Sequence, residues 1–103
     1  MEELVEIAKI FSDGNRLKIA VLILREEEVC VCEICDTLLL SQPLVSRHLK
    51  LMRKAGILEI RQDGRWMIYS LTEKPSPLLS CWIDEIRKYD QLLPELKGCK
   101  TRK

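Results

Sequence analysis

Histidine is nearly missing from this chain of 103 residues: there is one, His48. That excludes a histidine-rich metal centre. An excess of one charge sign is also missing. Seventeen Lys and Arg against sixteen Asp and Glu leave a formal charge of +1, so nucleic-acid binding cannot be argued from the total and must come from local charge. No stretch is long and apolar enough to span a bilayer. The first residues, Met1-Glu2-Glu3, are acidic where a secretory leader would be basic. Repeats and low-complexity runs are absent as well. The expectation is a cytoplasmic protein without a membrane partner.

Other features are plentiful. At 47% apolar the chain can bury a core, but its length supports one domain and little else. A dimer interface would help a core of this size. Five cysteines cannot all pair internally. In a reducing compartment, thiols clustered in sequence point to metal binding or redox chemistry.

Helical spacing of Leu4, Ile7, Ala8 and Phe11 predicts a first helix over Glu2–Phe11. Ser12-Asp13-Gly14-Asn15 breaks it with cap chemistry. A second helix, Arg16–Arg25, carries the stripe Leu17, Ala20, Val21 and Leu24. Glu26-Glu27-Glu28 reads as a solvated connection and Val29–Val31 as a brief strand-like stretch. A third helix is expected from near Cys32 to Leu39. Ser41 then caps a fourth, with Pro43 in its first turn and Val45, Leu49 and Met52 inward. Gly56 ends it near Ala55. Strands Ile57–Gln62 and Trp66–Leu71 flank the turn signal Asp63-Gly64. After Lys74-Pro75-Ser76-Pro77, Ser76 or Ser80 caps a last helix with Leu79, Ile83 and Ile86 on one side. The expected division is one domain over 1–97 and a flexible basic tail over 98–103.

Two short helices followed by a hairpin make a mainly helical winged helix-turn-helix, whose second helix presents its N-terminal residues to the major groove. Ser41, Gln42, Ser46, Arg47, His48, Lys50 and Arg53 are the expected contacts there, with Arg61 and Arg65 on the wing. Gln and Arg can pair with base edges, while Ser and Lys hold phosphates. Charge is segregated to match: the stretch from Leu44 to Arg65 has six basic and two acidic residues.

Cys30, Cys32 and Cys35 cluster just before the reading helix. Soft thiolates select soft ions, and three suit As(III), Sb(III), Cd(II) or Pb(II). On a regular helix Cys32 and Cys35 share a face, whereas Cys30 and Cys32 diverge at ~100° per residue. Either Cys30 precedes the helix, or binding unwinds its first turn; the second is the expectation, with the distortion tilting the reading helix. Cys32-Glu33-Ile34-Cys35 also matches a redox dithiol, so a peroxide-operated switch or a dithiol oxidoreductase are the competing readings; no nucleophile–base pair elsewhere suggests an enzyme. Cys81 and Cys99 fit the cluster less well.

The segment Leu40-Ser41-Gln42-Pro43-Leu44-Val45-Ser46-Arg47-His48-Leu49-Lys50-Leu51-Met52-Arg53-Lys54-Ala55-Gly56 resembles the recognition segment of ArsR/SmtB-type repressors. Gly64-Arg65-Trp66-Met67-Ile68-Tyr69-Ser70-Leu71 resembles their wing, and Val29-Cys30-Val31-Cys32-Glu33-Ile34-Cys35-Asp36 the metal-sensing box of the arsenic-responsive branch. The likeness runs from about Leu4 to Leu93. It implies a homodimer formed through the first and last helices, which blocks double-stranded operator DNA until an inducer binds. It assigns Cys30, Cys32 and Cys35 as As(III) or Sb(III) ligands, with Cys30 and Cys32 the surer pair. No cofactor is implied beyond that inducer, and Cd(II) or Pb(II) is the alternative. The zinc-sensing relatives use histidines on the last helix, where this chain has Asp84 and Glu85 alone. The cadmium/lead branch adds N-terminal cysteines, and none precedes Cys30.

Overall fold

The structure is a computed structural model, and it describes residues 1–98. Among the described residues five α-helices and three strands follow in the order α1 (Glu2–Phe11), α2 (Gly14–Glu26), β1 (Val29–Cys30), α3 (Val31–Leu38), α4 (Gln42–Lys54), β2 (Leu58–Asp63), β3 (Trp66–Leu71) and α5 (Pro77–Ile86), with a 3₁₀ turn over Arg87–Leu92. This is the winged helix-turn-helix expected.

Local chemistry sets the boundaries. Asp13 accepts from the N–H groups of Asn15 and Arg16, so α2 begins at Gly14, two residues earlier than periodicity indicated. Ser41 caps α4 by accepting from Leu44 N–H, with Pro43 in the first turn. Ser76, rather than Ser80, caps α5 through Leu79 N–H. Leu39 ends α3 in the left-handed region at φ 57°, which is what turns the chain toward α4.

Helix α2 lies at the centre. Ile19, Ala20, Leu22 and Ile23 are fully buried and Val21 nearly so, a wider apolar face than the stripe anticipated. It packs against α1, α3, α5, β3 and the 3₁₀ turn, so most of its circumference is interior. The core continues through Ile34, Val45, Leu49, Met52 and Ile57, which fixes α3 and α4 to one another.

The wing is a three-stranded antiparallel sheet in the order β1-β3-β2. Strands β2 and β3 pair from Leu58↔Leu71 to Asp63↔Trp66, with Gly64 in the turn at φ 61°. Strand β1, short as it is, pairs Val29 with Tyr69 and Cys30 with Ile68. The first cysteine is therefore laddered to the wing on one side and opens α3 on the other.

Past α5 the chain returns as a strap. Arg25 donates to the carbonyls of Asp90 (3.1 Å), Leu93 (3.2 Å) and Pro94 (2.6 Å). Leu93 and Leu96 pack on the core. Thr37 Oγ1 accepts from Lys97 N–H at 2.8 Å and donates to Lys97 O at 3.2 Å. Lys97 and Gly98 are thus seated on α3. Of the tail expected from residue 98 onward, 99–103 lie outside the described residues.

Candidate nucleic-acid interface and thiol site

The reading helix α4 sorts its residues by face. Val45, Leu49 and Met52 point into the core, while Gln42, Ser46, Arg47, Lys50 and Arg53 are exposed. Ser41 is exposed too, with its hydroxyl engaged as the cap.

His48 departs from expectation. It is only 5% exposed, because it falls one turn from Val45 and Met52 on the inward side. It is no outward groove contact. Arg16 Nη1 donates to its Nδ1 at 3.2 Å, and its Nε2 has no partner among the described residues. Burial holds the imidazole below its ordinary pKa; the Asp13 carboxylate opposes this, and the Arg16 and Arg47 charges reinforce it.

On the wing, Arg65 lies over the Trp66 ring at 5.0 Å, a cation–π contact that stiffens the hairpin tip. Arg61 carries a fork of two hydrogen bonds to Glu28, at 3.0 and 3.1 Å, and Asp63 stands 3.8 Å away. Its charge is largely matched within the chain, unlike the picture drawn from sequence. Glu28, in the acidic connection read as solvated, is its main partner.

Cys30 and Cys32 come together with sulfurs 3.4 Å apart. The geometry resolves the helical-spacing problem: Cys30 is the N-cap of α3, extended at φ −99°, ψ 168°. It precedes the helix, so the two sulfurs meet with the first turn intact and no unwinding is needed. Glu33, 2% exposed, accepts from Cys30 N–H at 3.0 Å and holds that residue in place. Sequence reasoning missed Glu33, since a cysteine cap gives no Ser/Thr-type signal three residues upstream.

Cys35 lines the same space but also packs on the core. Burial pushes its thiol pKa up, and the Asp36 carboxylate adds to this. Among the described residues, no three His, Cys, Asp or Glu side chains are grouped to hold an ion. The sulfurs of Cys30 and Cys32 are in contact, that of Cys32 already in a disulfide, and Cys35 stands beside them. Cys81 is exposed on α5, and Cys99 lies outside the described residues. Asp84 is exposed on α5, while Glu85 is occupied by Lys88 and Tyr89.

The two sulfurs open on a cavity of about 390 Å³. Its other walls are Gln42, the first residue of the reading helix, and Arg65, Trp66 and Met67 of the wing. Neither Trp66 nor Met67 had been singled out from the sequence, because their proximity to the cysteines depends on the β1–β3 pairing. No helix among the described residues is long and apolar enough to cross a membrane.

Comparison with known proteins agrees with the winged helix-turn-helix fold. Residues 13–59 match the family model described as bacterial regulatory protein, arsR family. The arsenic resistance transcriptional regulator ArsR1 of Pseudomonas putida is 43% identical over 82 residues, covering 80% of this chain and 61% of that protein. The arsenical resistance operon repressor of Escherichia coli is 40% identical over 91 residues, covering 84% and 74%. In structure, HlyU from Vibrio cholerae superposes with a TM-score of 0.73 at 26% identity, covering 84% of this chain and 90% of that one.

Proposed function

The chain belongs to the arsR family of bacterial regulatory proteins, and from that premise we propose that it is a metalloid-responsive transcriptional repressor. A homodimer holds a palindromic operator, its two reading helices about one DNA turn apart. Gln42, Ser46, Arg47, Lys50 and Arg53 supply the groove contacts, and Arg65 the wing contact. The inducer is As(III) or Sb(III), taken by Cys30 and Cys32 with Cys35 adjacent. The site is a soft, two-sulfur donor set without imidazole, which fits thiophilic ions and disfavours hard ones.

One observation carries this reading: the cavity at Cys30 and Cys32 is lined also by Gln42 and Arg65, the residues proposed above to contact DNA. An ion seated on the cysteines pulls on Cys30, which is tied both to its β3 partner and to the start of α3. The reading helix and the wing are then displaced together. A coupling of about 1–3 kcal/mol is enough to switch occupancy.

The test is an operator-release titration with sodium arsenite on the wild type and on Cys30→Ser and Cys32→Ser. Release by arsenite in the wild type, lost in both variants while each still binds operator, is the expected result. Equal operator affinity with and without arsenite in the wild type overturns the proposal.

The 3.4 Å sulfur contact also favours a second reading, a thiol redox switch. A peroxide would take two electrons and two protons from Cys30 and Cys32, leaving a disulfide and two waters. Peroxide release without arsenite, reversed by dithiothreitol, selects it.

A further inference from the structure

We infer that Arg16 is a positioning residue for DNA binding, locking the buried side of the reading helix to the end of α1, and that a proton on His48 opens the lock. This rests on α4 being the DNA-reading helix and not on the inducer. Arg16 stands half-buried in the first turn of α2. Its Nε and Nη2 donate to the carbonyls of Ile10 and Lys9, and its Nη1 to His48 Nδ1. Carbonyls in the last turn of a helix are short of partners, so the guanidinium finishes α1 while it holds α4.

The two helices meet loosely around that contact. Helix α1 packs on α2, and α4 on α3 and β2. A cavity of about 350 Å³ opens beside Arg16, walled by Glu6 and Lys9 of α1 and by Leu51 and Lys54 of α4. The guanidinium is thus a polar tie across a gap. Ser46, Arg47 and Lys50, the proposed groove contacts, flank His48 on the same helix and move with it.

The chemistry of the tie runs one way. A guanidinium carries donors alone, so His48 can receive it only while Nδ1 is bare, and an imidazolium has no acceptor left. Protonation therefore sets donor against donor and places a second positive charge beside Arg16, at a residue 5% exposed. Nε2 has no partner among the described residues, so no hydrogen bond on the far side of the ring compensates. Asp13, Arg16 and Arg47 are the charged groups that act on the ring. Burial keeps the proton off until the pH drops below 6.5, the Arg16 and Arg47 charges reinforce it, and Asp13 opposes. His48 is the one histidine of the chain, so no other side chain has its ordinary pKa between about 5 and 8.

The probe is a fluorescein-labelled duplex that the reduced, full-length wild type selects from a random-sequence pool, read by anisotropy between about pH 7.5 and 5.5. At the upper end His48→Leu, apolar in a buried place but without an acceptor, is expected to lose about 5–150-fold in affinity. His48→Asn puts Oδ1 where Nδ1 stands and is expected to recover most of that loss. The wild type is expected to weaken below pH 6.5, although added positive charge alone would tighten binding to a polyanion. His48→Asn takes no proton there and is expected to stay level. Arg16→Met should weaken binding as His48→Leu does, and the double variant no further than the worse single, because both cut one contact. Circular dichroism at each pH reports the folded fraction. Should Arg16→Met or His48→Leu fail to fold, the acid profile of His48→Asn against the wild type decides. Wild-type affinity in folded His48→Leu, a wild type that does not weaken in acid, or an equal acid loss in His48→Asn overturns the inference and leaves the proposed function standing. A wild type that enriches no sequence removes the DNA-reading role on which both rest.

Discussion

Arg16 Nη1 donates to His48 Nδ1 across 3.2 Å and so joins the first turn of α2 to the buried face of the reading helix. The same guanidinium donates through Nε to Ile10 O at 2.8 Å and through Nη2 to Lys9 O at 3.2 Å. One side chain thereby connects the end of α1, the start of α2 and the middle of α4. A guanidinium has no acceptor, so Nδ1 must be the accepting nitrogen, and the imidazole is the neutral Nε2–H tautomer.

A pH dependence follows. The folded pKa of His48 lies below the ordinary 6.5, chiefly from burial. The unfolded chain therefore binds more protons in the window just below pH 6.5, and stability rises with pH there. Read downward, the His48 contribution is intact above 6.5 and is lost as acid forces a proton onto Nδ1, which then faces Arg16 as a second donor. Urea unfolding across this window should show falling stability in the wild type and a flatter profile in His48→Gln, which cannot titrate. Asp13, whose pKa is lowered first by the Arg16 N–H bond, acts in a separate window below 3.8. Equal slopes for the two proteins near pH 6 would remove His48 as the cause.

Arg47 and Arg61 should separate in a salt titration of operator binding. Arg47 is exposed on the reading helix, whereas Arg61 is held by Glu28. Arg47→Ala is expected to lose ~1–3 kcal/mol if it reads a base. Should it hold a phosphate instead, the logarithmic salt slope will fall by ~0.9. Arg61→Ala should do less on both measures, since it gives up an exposed ion pair worth about 0–1 kcal/mol and a charge already offset. Fluorescence anisotropy at several salt concentrations decides; a larger loss for Arg61→Ala would place the wing arginine at the DNA and demand that Glu28 release it.

The elements themselves were legible because their signals are local. Ser41 with Pro43, Asp63-Gly64, and the Val45, Leu49, Met52 spacing each depend on neighbours within a turn or two. Cys30 was less legible: whether it sits in or before a helix depends on its pairing with Ile68, 38 positions away in the chain. His48 was misjudged for a related reason. It occupies an i+3 position from Val45 that belongs to the buried face, but a polar residue was assumed to face water. Only the Arg16 contact from another helix makes its burial tolerable. Arg61–Glu28 and Gly98–Glu33 are likewise tertiary facts with no periodic trace.

Glu33 offers a test of how the sensing cysteine is held. Its carboxylate accepts from Cys30 N–H in a buried setting, so Glu33→Ala leaves a donor stranded at the start of α3. The expected cost is about 1–3 kcal/mol in chemical unfolding. Glu33→Gln keeps an accepting oxygen and should recover much of it. The arsenite response should follow the same order, because Cys30 loses its fixed backbone in the alanine variant. If Glu33→Ala loses stability but keeps the full arsenite response, Glu33 supports the fold alone.

The dimer prediction concerns α1. Leu4, one of the apolar residues whose spacing marks the helix, and Val5 are 48% and 44% exposed. Phe11 of α1 stacks on Trp82 of α5 with ring centroids 4.9 Å apart, so the end of α1 is held against α5. An apolar patch of this kind on so small a domain is better explained by a partner than by solvent. Leu4→Glu with Val5→Glu should therefore give a monomer in sedimentation velocity. Because both side chains are already half exposed, the fold itself should lose little, within about 0.5 kcal/mol per site. Operator affinity should fall far more, since a monomer grips one half-site and forfeits an avidity of roughly 10²–10⁴. A double variant that remains dimeric would move the interface off α1, to the groove lined by Trp82, Tyr89 and Leu92.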